Sequence, residues 1–158
     1  MATFLITLGG LFTFWLLIVG YNVLTGPHAE LGVVDGQLTP VPDSPNAVSS
    51  FAISTEHRME PIPYSGSPEQ AFGKIKDVVE SMPRTNIIVA EDNYLRAEFQ
   101  SGFFRFVDDV EFLVEEDMRM IQFRSASRLG HSDLGANRSR MEEFRRRFEQ
   151  APSQSMTK

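Results

Sequence analysis

FFRFVDDVEFLVEEDMRMIQFRS, Phe103 to Ser125, decides the fold. Val110, Phe112 and Val114 alternate with Asp109, Glu111 and Leu113, and Ile121 and Phe123 alternate with Gln122 and Arg124. A period of two over runs rich in Val, Ile and Phe is the pattern of strands with one apolar face. The acidic break at Glu116 and Asp117 makes the two runs, Phe103–Glu115 and Met118–Ser125, a β-hairpin. With Glu116 and Asp117 as its turn, Phe112 faces Ile121 and Val110 faces Phe123. On the other side Glu111 faces Gln122, and Asp109 faces Arg124 as a cross-strand ion pair. A slip of one residue would set Val110 against a polar partner and lose the apolar match.

Working outward, Asn86–Ala90 and Tyr94–Gln100 form a second hairpin through Glu91, Asp92 and Asn93. Upstream, Ser67, Pro68 and Gln70 spell a helix start: N-cap, first-turn proline and capping-box partner. Ala71, Phe72, Ile75, Val78, Val79 and Met82 then recur on one helical face until Pro83. His57–Ile62 reads as a short strand. Downstream, a second helix starts at Leu134 or Asn137 and runs to Gln150. Met141, Phe144 and Phe148 form its apolar stripe, Glu142 and Arg146 pair across one turn, and Pro152 ends it. The expected order is β-α-β-β-β-β-α: an α+β fold over residues 51–150, with two helices on one face of an antiparallel sheet. Residues 151–158 are a polar tail.

Residues 26–50 read as an extended linker, neither helix nor regular strand. Pro40, Pro42 and Pro45 hold it extended, and Asp43, Ser44 and Asn46 of the PDSPN stretch are set to fold back on nearby amides. Residues 1–25 read as a transmembrane anchor preceding the domain. Ala2–Leu24 carries no charged side chain, and 23 residues suffice to cross about 30 Å of hydrocarbon. Tyr21 and Asn22 suit its exit. A cleaved signal peptide is disfavoured: there is no basic start, the apolar core is long and no small-x-small site follows. No Lys or Arg precedes Arg58, which leans the domain toward the periplasmic or extracytoplasmic side.

A chain of 158 residues allows one domain besides the anchor. Its net charge of -6 argues against nucleic acid as a partner. The absence of cysteine removes disulfides and thiol chemistry. Charge is uneven: Phe123–Lys158 has eight basic and four acidic residues, a net of +4, and the remainder is acidic. A basic helix packed by an acidic sheet explains this, and a face for anionic lipid or an acidic partner is the sharper alternative.

Polar residues concentrate in three blocks: PDSPNAVSS (Pro42–Ser50), FRFVDDVEF (Phe104–Phe112) and FRSASRLGHSDLGANRSR (Phe123–Arg140). Together they resemble the signature blocks of domain-of-unknown-function family 1499, over about Leu38 to Phe148. The resemblance implies a small domain, often behind membrane segments, in bacteria and plastids, with no established activity. In the family the first block carries cysteines where this chain has Val41 and Ala47, so a thiol role there is in doubt.

Three roles compete for these residues. In the first they lock the fold: Asp108, Asp109 and Glu111 hold Arg124, Arg128 and Arg138, while Ser132 or Asp133 caps the second helix. In the second, Arg124, Arg128, Asn137 and Arg138, joined by Asn46 and Ser49, bind an anionic lipid headgroup or small metabolite. In the third they are a hydrolase or a metal site built from Asp108, Asp109, Glu111 and His131. The third is weakest, because the adjacent His131, Ser132 and Asp133 cannot converge as a relay and no nucleophile elbow is present. His28 and His57 read as interface and surface residues. The sequence favours a membrane-anchored accessory or interaction module without cofactor or catalysis, whose partner is another membrane protein or a membrane-derived small molecule.

Overall fold

The computed structural model describes residue 10 and residues 12–21 and 30–152. Over these the fold is α+β. A hairpin of β1 (Val33–Val34) and β2 (Gln37–Leu38) comes first, then β3 (Ala47–Ser49), β4 (Ile62–Pro63) and α1 (Pro68–Ser81). The antiparallel strands β5 (Thr85–Glu91), β6 (Tyr94–Gln100), β7 (Val107–Glu115) and β8 (Met120–Ser127) precede α2 (Ala136–Gln150). The main sheet has the order β3-β8-β7-β6-β5, with β4 also pairing β8.

Both helices cover one face. Ser67 and Gln70 close a reciprocal capping box at α1, which buries Ala71, Ile75, Val78 and Val79. From α2, Met141, Phe144 and Phe148 reach the same core, and the Phe144 ring lies 4.3 Å from that of Phe112. Val110, Phe112, Val114, Ile121 and Phe123 supply the sheet side of this core.

The central hairpin differs from the expected register by two residues. Phe112 pairs with Phe123, Val110 with Ser125 and Glu111 with Arg124. The turn is longer than two residues: Glu115 pairs with Met120, Arg119 N–H donates to the Glu116 carbonyl, and Arg119 takes a left-handed φ of 54°. A shift of two preserves which face each side chain occupies, so the apolar face stands and the partners change. The expected Asp109–Arg124 pair is replaced by Arg124–Glu111 at 3.3 Å and Arg128–Asp109 at 2.7 Å.

Other expectations are corrected. The stretch 26–50 was to have no regular strand; it carries the β1–β2 hairpin and ends in β3, which pairs with β8 from Ala47↔Ala126 to Ser49↔Arg124. The strand expected at His57–Ile62 lies at Ile62–Pro63. His57 is buried, with Nδ1 2.9 Å from the Ala47 carbonyl oxygen, because the following chain folds in beside β3. On α2, Glu143 rather than Glu142 pairs with Arg146 and Arg147.

The transmembrane helix expected over 1–25 is overturned: among the described residues no helix is long and apolar enough to cross a membrane. Trp15 of the described run 12–21 donates Nε1–H to the carbonyl oxygen of Phe103, 3.1 Å away. His28 and residues 153–158 of the tail lie outside the described residues.

Candidate ligand-binding cleft

The sheet face away from the helices is charged and nevertheless buried. Cross-strand pairing sets Ser49, Arg124, Glu111 and Arg96 in one row, and Ala47, Ala126, Asp109 and Glu98 in the next. Glu111 is 0% exposed, Asp109 3%, Arg124 4% and Arg128 7%. They are covered by the strap that precedes β3. Gly32 N–H donates to Glu111 Oε1 at 2.8 Å, Leu38 is buried, and Pro40, Val41 and Pro42 pass over the sheet.

Between the strap and the sheet lies a cleft of about 420 Å³. Leu31, Pro40, Val41, Pro42 and Leu129 give it apolar walls, while Asp109, Arg124 and Arg128 bring charge and Ser44 and Asn46 bring polar edges. This volume falls within the range of small-molecule pockets. A neighbouring cleft of about 440 Å³ shares Pro40, Val41 and Pro42 and holds Ser49 and His57.

The two arginines of the cleft differ in what they have left to give. Arg128 grips both oxygens of Asp109, at 2.7 and 2.8 Å, and reaches Glu98 at 2.5 Å. These acceptors raise its pKa, Asp109 foremost. Arg124 makes one hydrogen bond, from Nη1 to Glu111 Oε2 at 3.3 Å. Its Nε is buried with no partner among the described residues, and a guanidinium has five donors to place. Leaving buried donors unpaired is costly, so Arg124 retains hydrogen-bonding capacity that Arg128 has spent.

Glu111 is shared. Tyr94 donates its hydroxyl at 2.7 Å to the same Oε1 that accepts Gly32 N–H. Burial pushes the Glu111 carboxyl above the ordinary value of 4.5, against the lowering pull of Tyr94, Arg124 and Gly32. Burial and the Glu111 carboxylate likewise raise the Tyr94 phenol. Between pH 4.5 and the raised folded pKa the native state holds a proton that the unfolded chain has lost, so this group's contribution falls as pH rises through that window and is level above it. Glu111→Gln is expected to flatten that part of the profile, checked by urea unfolding at a series of pH values from 4 upward. An unchanged slope would remove Glu111 as its origin.

The remaining polar residues sit elsewhere. Asn137 is fully buried on the helix face. Its amide nitrogen is directed at the Asn46 carbonyl (2.8 Å), Ser127 Oγ (2.9 Å) and Asp133 Oδ2 (2.8 Å), and its oxygen accepts from Ser125 (2.5 Å) and Arg140 (2.6 Å). Asp133 also accepts the backbone N–H of Asn137 at 2.7 Å and of Gly135 at 3.0 Å, satisfying free amides as α2 begins. Gly135 takes a φ of 80° there. Ser132 accepts only the Leu134 amide. Arg138 donates to the carbonyls of Glu56 and Arg58 at the surface, apart from the cleft. Asp108, on the helix face, pairs with Arg140. The acids Asp108, Asp109 and Glu111 therefore answer three different arginines and do not converge with the exposed His131. No acid–histidine group suited to a metal ion occurs among the described residues.

Of the candidate ligand-binding residues, Arg124, Arg128 and Asn46 meet at the cleft, Ser49 opens on its neighbour, and Asn137 and Arg138 lie outside both. Asn46 faces two ways: its side chain donates to the Gly130 carbonyl at 2.6 Å and accepts from Ser44 at 2.7 Å. Reading the sequence missed the walls Leu31, Pro40, Val41 and Leu129, and also Arg140, although Arg140 lies one turn after Asn137 and so shares its face.

The class these features define is a small α+β domain with helices on one sheet face and a strapped, charged cleft on the other. The chain belongs to the family described as protein of unknown function (DUF1499), whose model matches residues 37–148. No curated protein and no solved structure matches it.

Proposed function

We propose that this domain is a non-catalytic binding module for a small ligand with an anionic oxygen and an apolar body. The observation that carries the reading is Arg124: nearly fully buried, lining an apolar-walled cleft, with one hydrogen bond made and Nε unpaired. A carboxylate or phosphate oxygen in the cleft takes guanidinium donors that Glu111 leaves over, and Leu31, Pro40, Val41 and Pro42 receive the apolar part. All three polar sequence blocks contribute to this cleft: Pro42, Ser44 and Asn46 from the first, Asp109 from the second, Arg124 and Ala126 to Gly130 from the third. The supporting charges are internally paired, which suits binding better than turnover. As an accessory module, the domain would hold such a ligand for a partner protein.

Octanoate, octyl phosphate and octylammonium test it, with binding read by calorimetry and by the shift in thermal midpoint. The two anions are expected to bind and the cation not to; the stronger anion tells carboxylate from phosphate chemistry. Arg124→Gln should weaken binding at least about tenfold, the loss of one charge-assisted hydrogen bond. Equal binding of the cation, or full binding by a folded Arg124→Gln variant, would sink the reading.

A further inference from the structure

The β6–β7 connection, SGFFRF, projects three aromatic rings at the end of the sheet. Phe103, Phe104 and Phe106 are 69%, 42% and 37% exposed. They pack together, Phe103 edge-to-face on Phe104 with centroids 5.0 Å apart and Phe104 tilted against Phe106 at 5.5 Å. The helical run 12–21 joins them through Trp15, whose ring lies 6.0 Å from Phe103. That run exposes Phe12, Phe14, Leu16 and Leu17, each 48% or more. At 100° per residue these side chains point around most of the helix, a pattern that water does not favour. An apolar groove of about 670 Å³ between the run and Phe106 and Leu129 continues the surface. Monomers in water rarely expose so much contiguous apolar area without using it.

The charges around this patch are cationic. Arg105 sits within it and donates to the Gln100 side chain at 3.3 Å, and Arg84 donates to the Gln100 carbonyl at 3.0 Å. The stretch Ser101–Val107 holds no acid, and the first acid beyond it, Asp108, is engaged by Arg140. In a chain of net charge -6, a local pair of arginines beside aromatic rings is a departure from the rest of the surface.

We infer that this end of the molecule lies on an anionic lipid surface, with the Phe103–Phe106 tip and the apolar side chains of the 12–21 run in contact with lipid. Protruding rings mixed with arginine match the boundary between acyl chains and anionic headgroups. A run apolar around most of its circumference suits contact with acyl chains. Leu129 lines both this groove and the Arg124 cleft, so the cleft opens next to the lipid-facing end. The inference stands on the exposed tip and is independent of what the cleft binds.

The chain contains no cysteine, so a single introduced thiol is a unique labelling site. Full-length protein carrying an environment-sensitive dye at Phe104→Cys is mixed with vesicles of phosphatidylcholine with and without phosphatidylglycerol. The same dye at Met118→Cys, exposed in the turn at the opposite end of β7, is the reference. The Phe104 dye is expected to brighten, shift to the blue and be quenched by brominated lipid; the Met118 dye is expected to stay aqueous. Arg105→Asn, a residue compatible with the left-handed φ of 57° there, should lower partition onto anionic vesicles about fivefold. Two equal dye responses, or a Phe104 dye that stays aqueous while the protein floats with vesicles, overturn the tip as the contact. Equal partition onto vesicles lacking phosphatidylglycerol overturns the anionic surface.

Discussion

Asp109→Ala is expected to cost about 3–5 kcal/mol of folding stability, the range for removing one partner of a buried ion pair. Asp109 and Arg128 are 3% and 7% exposed, and they meet through two hydrogen bonds of 2.7 and 2.8 Å. The alanine variant leaves the guanidinium buried with Glu98, whose side chain is 23% exposed and therefore partly hydrated. The loss comes from the abandoned charge more than from the missing bond. Asp109→Asn keeps an acceptor and should lose roughly half as much. The double change Asp109→Leu with Arg128→Met removes both charges and should recover most of the loss. Urea unfolding with a double-mutant cycle measures all three. A single-variant loss below about 1 kcal/mol would mean that water reaches Arg128.

The second large effect is at Asn137. Asn137→Ala is expected to destabilise by about 3 kcal/mol, since it orphans groups on three elements at once: the Asn46 carbonyl before β3, Ser125 and Ser127 of β8, and Arg140 of α2. Asn137→Asp should be at least as damaging. It keeps the acceptor for Ser125 and Arg140 but sets a second carboxylate against Asp133. That ordering separates a hydrogen-bond role from simple volume, because aspartate fills the same space. Stability measured at pH 7 and again near pH 4 checks it: the Asp variant should regain relative to Ala as its carboxylate protonates. Equal, pH-independent losses would reduce Asn137 to a packing residue.

Much of the fold is legible from local chemistry. The α1 capping box, the stripe Met141–Phe144–Phe148 and the alternation around Val110–Phe112 report short-range constraints, and the structure realises each of them. What fails to show is set at longer range. The register of β7 with β8 depends on a four-residue turn, Glu116–Arg119, that no glycine or Asn-Gly pair announces. The two registers place the same residues on the same faces, so alternation alone cannot tell them apart. The strap is the larger omission. Three prolines and several polar residues suggest a spacer, and only the buried charges opposite it reveal that it is a wall. For the same reason the arginines are assigned to a cluster correctly and to partners incorrectly. Asn137 shows the limit clearly: polar, on a helix rich in arginine, and completely enclosed.

The strap also bears on where this domain begins. Family similarity starts at residue 37, but Leu31 and Gly32 are already structural, one lining the cleft and the other feeding an amide to Glu111. A fragment cut to the family boundary would keep every strand of the main sheet, all of α1 and all but the last two residues of α2. It would lack half of the small β1–β2 hairpin, one cleft wall and one of the donors that make a buried Glu111 tolerable. Such a fragment would keep Pro40, Val41 and Pro42 over the sheet but lose Leu31 and the Gly32 donor, and a negative binding result obtained with it would report the cut and not the protein.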